Sequence, residues 1–163
     1  MPTEELAKKT VIILPVYNKC GNVEKIIRKI FNEIFKNTGI SVIVVDSNSD
    51  DGSREEVLGL QNEYPNLKIL FQKEKQGLAS AYTDGFLYAL KENYEIFVQM
   101  DTDFQHPPEV LPEMIKKTEN YDLIIGSRYV KNGSWFRGKF FKHFISIAGN
   151  IYAAQFWVAK FTT

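Results

Sequence analysis

The sequence predicts an α/β fold, a mostly parallel sheet with helices on both faces, and three observations predict it. Continuous apolar runs of strand length recur along the chain. Segments with apolar residues at helical spacing alternate with them. Turn residues (Gly, Asn, Asp and Pro) fall at the junctions. Alternation of this kind is satisfied by a largely parallel sheet covered on both faces, whose ligands bind outside the carboxyl ends of the strands.

Each element has its own signal. Thr10 to Tyr17 is an uninterrupted apolar run and reads as a buried strand. Asn22 to Lys36 places Val23, Ile26, Ile27, Ile30, Phe31, Ile34 and Phe35 at helical spacing, with Asn22 as the N-cap and Asn37-Thr-Gly39 as the stop. Ile40 to Val45 reads as a second strand ending at Asp46. Ser53 to Glu63 reads as a short helix closed by Pro65. Leu67 to Phe71 is the third strand, Gly77 to Lys91 a helix, and Glu95 to Met100 the fourth strand, ending at Asp101. Pro107 to Asn120 follows as a helix, with its prolines near the start where they are tolerated. Tyr121 to Gly126 is expected as a fifth strand. An irregular stretch from Ser127 to Gly138 then leads to a final apolar-aromatic helix.

The 163 residues suit a single domain spanning 1–163, large enough to bury a core. Apolar residues make up 44% and charged residues 25%, and 20 Lys plus Arg balance 20 Asp plus Glu. Bulk charge therefore gives no pull toward nucleic acid, and none is expected as a partner. Cys20 is the only cysteine, so no intrachain disulfide forms and a reducing, cytoplasmic setting is expected. The short polar N-terminus has no apolar region of a signal peptide. No stretch reaches the ~20 apolar residues of a membrane-spanning helix.

Four clusters carry chemistry. Asp101-Thr102-Asp103 leaves the fourth strand with two carboxylates at i and i+2, able to point hard oxygens at one Mg²⁺ or Mn²⁺, with Gln105 or His106 as a third ligand. The same residues also suit a polar turn before Pro107. Asp46 to Ser53 leaves the second strand, where Asp46 is placed to bond a ribose or base; its neighbours are ordinary turn residues as well. Gly77, Ala79 and Ala81 let a helix start lie close to the sheet, the plainer reading of these residues alone, or to a ligand. Gly126-Ser127-Arg128 sets a guanidinium where it would clamp a phosphate, with Arg137, Lys139 and Lys142 following; a solvated charged loop fits the same residues.

These clusters occur in one order, each after a strand. Leu14-Pro-Val-Tyr-Asn18, Val45-Asp46 through Asp51-Gly-Ser53, Gly77-Leu-Ala-Ser-Ala81, Met100-Asp-Thr-Asp103 with Pro107, and Gly126-Ser-Arg-Tyr129 resemble family 2 glycosyltransferases. Asn132-Gly133, Trp135, Lys142, Ile145-Ser146 and Asn150 are similar to the polyprenyl-phosphate mannose and glucose synthases within that family. Lys19 and Ser47 stand where the family usually has acidic residues. The family's pattern continues past Thr163 with a strand carrying a Gly-aromatic-Arg segment, so that part is expected to be missing.

The resemblance implies a GT-A fold and transfer of a hexose, mannose first, from GDP-mannose or a UDP-hexose to dolichyl or polyprenyl phosphate. By motif position it implies that Pro15, Tyr17, Asp46, Gly77, Ala81 and Asp101 line the nucleotide-sugar site. Asp101, Asp103 and Gln105 would hold Mg²⁺ or Mn²⁺, and Arg128 and Lys142 would meet the donor or acceptor phosphates. Asp101, Asp103 and Arg128 would carry the catalytic roles. A lipid acceptor implies a peripheral protein at the cytoplasmic face of a membrane. Phe140 to Phe161, rich in Phe, Tyr, Trp and Ile beside Lys and His, fits an interfacial helix as well as a core helix. Two other classes stay open: a domain that binds nucleotide-sugar or docks on a membrane without turnover, and a phosphatase using the Asp101/Asp103 pair, which would be expected on the first strand. A dinucleotide-binding dehydrogenase is excluded, because the first turn lacks Gly-x-Gly-x-x-Gly.

Overall fold

The computed structural model describes residues 1–104 and 106–127. Gln105, Arg128, Lys142 and the stretch expected to form the terminal apolar-aromatic helix lie outside the described residues. The described regular elements fall in one compact unit, Met1–Ile124; of a second unit, Ile125–Thr163, residues 125–127 are described.

Among the described residues four parallel strands form the sheet: β1 (Thr10–Val16), β2 (Ser41–Asp46), β3 (Leu67–Phe71) and β4 (Ile96–Gln99), in the order β3-β2-β1-β4. Alternation along the strands divides the core. Ile12, Leu14, Val16, Val42 and Val44 point to one face, and Val11, Ile13, Ile43 and Val45 to the other. Both central strands read as unbroken apolar runs because helices cover both faces.

The first face carries α2 (Val23–Arg28), α3 (Ser53–Gln61) and α5 (Leu111–Lys117). They contribute Val23, Ile26, Ile27, Val57, Leu60, Leu111 and Ile115 to the core. The second face carries α4 (Leu78–Lys91), through Ala81 and Ala89 with the half-buried Tyr82 and Phe86. Gly85 sets the closeness of that packing: a Cβ there would lie 2.5 Å from Ile13 Cγ2. The small residues of α4 thus serve sheet contact at Ala81 and Gly85. Gly77, with φ of +91° and open space around it, serves the chain's turn into the helix.

Several expectations are corrected. A short helix α1 (Glu4–Lys8) precedes β1, capped by Thr3 Oγ1 accepting from the Leu6 amide at 3.2 Å. At one and a half turns it is too short to show a periodic signal. The helix expected over 22–36 is α-helical only to Arg28 and then π-helical over Lys29–Ile34. The Phe35 amide donates to the Ile30 carbonyl at 2.8 Å, and the wide turn keeps Ile30, Ile34 and Phe35 all in the core. Asn22 does not cap with its side chain, because its own backbone is already helical (φ −95°, ψ −40°) rather than extended as a capping residue's is. The helix expected over 107–120 is a 3₁₀ turn, Pro108–Val110, leading into the shorter α5.

The fifth strand does not form among the described residues. Tyr121, Leu123 and Ile125 alternate as a strand would, yet they are 63%, 76% and 67% exposed and no described strand pairs with them. Alternation supplies the period; a ladder also needs a neighbouring edge.

Candidate functional site

The chain builds β1, β2 and β3 outward in one direction, then returns to place β4 on the other side of β1. The carboxyl edge at such a reversal is the place where parallel sheets bind ligands. Tyr17, Asp46, Gln72 and Asp101 emerge along that edge, one at the end of each strand. Pro15 fits here for a backbone reason. The Ile13 carbonyl, two residues earlier, accepts from the Met100 amide at 3.3 Å on the β4 side, where β4 has just ended. The missing N–H of Pro15 faces the same side and costs the sheet no ladder bond.

The loop after β1 is latched to the loop after β2. The Asn18 amide donates to Ser49 Oγ at 3.0 Å, and Asn18 Nδ2 donates to Asp50 Oδ1 at 2.8 Å. The Lys19 amide donates to Ser53 Oγ at 2.7 Å, the Cys20 amide to Asp51 at 2.9 Å, and the Gly21 amide to Glu56 at 2.7 Å. Burial opposes the Asp51 charge, but hydrogen bonds from Ser53 and the Cys20 amide hold its carboxyl below the usual range. The Glu56 carboxylate accepts from the Cys20 thiol and pushes that thiol's pKa up, so Cys20 serves the latch as a donor. Tyr17, 38% exposed, lies at the mouth of the site with Lys75 Nζ 3.8 Å from its ring centroid.

Asp46 closes β2 at 1% exposure. A charge there requires partners. Arg54 Nε and Nη2 donate to its Oδ2 at 3.0 and 2.8 Å, and the Ser49 amide lies 3.3 Å from both oxygens. The guanidinium in turn stacks on Phe71 at 4.6 Å. Beside it, buried Gln72 accepts from Ser47 Oγ at 2.7 Å and donates to Asp84 at 2.6 Å and Ser80 at 3.1 Å. This network joins the ends of β2 and β3 to the first turns of α4. Nothing in the local sequence pattern singled out Arg54, Gln72 or Asp84, because each acts through partners distant in the chain.

Asp101, Thr102 and Asp103 leave β4 with the middle residue turned inward. Thr102 is 2% exposed, while the carboxylates on either side are partly open. Asp101 Oδ1 accepts from the Tyr82 hydroxyl at 3.0 Å, and its Oδ2 lies 3.8 Å from His106 Nδ1. Burial, and then the negative charge of Asp101, push the Tyr82 phenol well above its ordinary pKa, so it remains a donor. Two hard carboxylates are a donor set that Mg²⁺ or Mn²⁺ accepts when phosphate oxygens and water complete the shell. Among the described residues no three His, Cys, Asp or Glu side chains gather into a ready-made cage. Tyr82 was legible only as an apolar member of its helix; its hydroxyl gave no periodic signal.

Comparison with known proteins agrees with this architecture. Residues 11–161 match Glycosyl transferase family 2. A dolichol-phosphate mannosyltransferase of Pyrococcus furiosus is 37% identical over 139 residues, which are 85% of this chain and 38% of that protein. An undecaprenyl-phosphate mannosyltransferase of Micrococcus luteus is 31% identical over 144 residues, 88% of this chain and 58% of its own. The chain thus spans 38% to 58% of these two relatives' lengths. Among solved structures, the mannosyltransferase PcManGT of Pyrobaculum calidifontis, in complex with GDP-Man and Mn²⁺, superposes with a TM-score of 0.55 at 26% identity. That match covers 68% of this chain and 32% of PcManGT. The fold is the GT-A type.

Proposed function

The chain belongs to glycosyl transferase family 2, and we propose that it moves a mannosyl group from GDP-mannose to dolichyl or polyprenyl phosphate with inversion at the anomeric carbon. The observation that carries this reading is the pair Asp101 and Asp103, partly open at the reversal edge of the sheet on either side of buried Thr102. The relatives' acceptors and the GDP-Man and Mn²⁺ of PcManGT support it.

Tyr17, Pro15 and Asp46 would hold the nucleoside along the carboxyl ends of β1 and β2. Asp46 would do so by exchanging Arg54, whose side chain is 31% exposed, for the ligand. Asp101 and Asp103, with Gln105, would hold Mg²⁺ or Mn²⁺, which when bound neutralises charge on the departing diphosphate. The acceptor phosphate, with a second pKa near ~6, is largely a dianion at neutral pH and needs no general base. One of its oxygens attacks the anomeric carbon, the bond to the diphosphate oxygen breaks, and GDP leaves with the electron pair. Arg128 and Lys142 would hold the two phosphates together against their repulsion. A lipid acceptor would bring the protein to a membrane surface, and we propose the cytoplasmic face. Among the described residues no helix is long and apolar enough to cross a membrane.

The test is product analysis. The protein is incubated with GDP-mannose, Mn²⁺ and dolichyl phosphate in detergent, and the product's anomeric configuration is read by NMR. A β-linked mannosyl phosphate is expected. A product that retains the donor's configuration, or release of free mannose alone, would overturn the reading.

A further inference from the structure

Asp101 is held from one side by a tyrosine whose placement is itself fixed by packing. Phe97 of β4 packs on the α4 face of the sheet, and Asp101 follows two residues beyond the strand's last residue, Gln99. Phe97 meets the Phe86 ring edge-on, with centroids 5.8 Å apart. Phe86 in turn stacks on Tyr82 at 6.4 Å. The aromatic row runs back along α4 from β4 and ends with the Tyr82 hydroxyl 3.0 Å from Asp101 Oδ1. Carboxylates that ligate a cation need such outer partners to fix their orientation.

We propose that Tyr82 is a positioning residue for Asp101: its hydroxyl fixes Oδ1 and thereby aims Oδ2 at a divalent cation. The inference rests on the reading that Asp101 holds that cation. It adds a residue on a different element, α4, which joins the wall of the donor site to the helix that packs on the sheet. Tyr82 touches neither donor nor acceptor in this account, and its effect passes through Asp101.

The experiment is Mn²⁺ titration followed by the EPR signal of free Mn²⁺, with GDP present, on the wild type, Tyr82→Phe and Asp101→Asn. GDP affinity in EDTA is measured on each. Tyr82→Phe keeps the ring and its stack on Phe86 and removes only the donor. It is expected to weaken Mn²⁺ by about 10–100-fold, with metal-free GDP affinity and the unfolding temperature unchanged. Wild-type Mn²⁺ affinity in Tyr82→Phe, with a loss in Asp101→Asn, would overturn the positioning role and leave the cation site standing. Unaltered Mn²⁺ affinity in Asp101→Asn would overturn the cation site and the inference together. A parallel loss of metal-free GDP binding in Tyr82→Phe would mark general damage and also overturn the inference.

Discussion

Arg54 is the residue whose removal reports most directly on the buried end of β2. Asp46, 1% exposed, depends on it for two hydrogen bonds to one carboxylate oxygen. Arg54→Ala would leave that charge with the Ser49 amide alone. The guanidinium is 31% exposed, so the loss falls below that of a fully buried pair. We expect a destabilisation of about 2–3 kcal/mol, measured by the urea unfolding midpoint, with Arg54→Lys recovering only part because lysine lacks the planar fork. A midpoint unmoved by Arg54→Ala would contradict this account of Asp46. At this scale the sequence was half legible. Asp46 and Asp101 stood out because polar residues at the ends of apolar strands are conspicuous. Their partners Arg54 and Tyr82 did not, since Arg54 sits in a helix of ordinary polar pattern and Tyr82 counts toward an apolar stripe. Side-chain pairs that close across a loop leave no period to read.

Helix α4 shows how one element serves both core and site. Its Gly85 lets the helix axis approach the sheet, and a methyl group there would meet Ile13 Cγ2 at 2.5 Å. Gly59, exposed in α3, has nothing within 4 Å of the same added atom. The two glycines should therefore respond to alanine with opposite signs. Gly59→Ala gains up to about 1 kcal/mol from helix propensity. Gly85→Ala makes the same gain but suffers an overpacking cost of about 1–3 kcal/mol, for a net loss. Thermal unfolding of the two variants checks this, and equal responses would contradict the close packing of α4. The strands and longer helices were legible because their apolar periods are long and consistent. The π-helical turn after Arg28 was not, since it preserves an apolar stripe while changing the ring of hydrogen bonds. The stretch from Tyr121 to Gly126 shows the reverse case, a strand period that pairs with no strand among the described residues.

For the molecule as a whole, the sheet order β3-β2-β1-β4 gathers strand ends far apart in sequence onto one edge. Alternation of strands and helices forecast a parallel sheet, and the ordered motifs forecast the family. The order of the strands could not be read from periodicity, because neighbours in space are set by crossovers rather than by local pattern. The central claim is that this edge binds a guanine nucleotide through a divalent cation on Asp101 and Asp103. Its most direct test is calorimetric titration with GDP and UDP, with and without Mn²⁺, on the wild type and on Asp101→Ala and Asp103→Ala. GDP is expected to bind in preference to UDP and more tightly with Mn²⁺, and the gain from Mn²⁺ is expected to be lost in both variants. GDP binding that ignores Mn²⁺ and survives both substitutions, or no nucleotide binding under any condition, would contradict it.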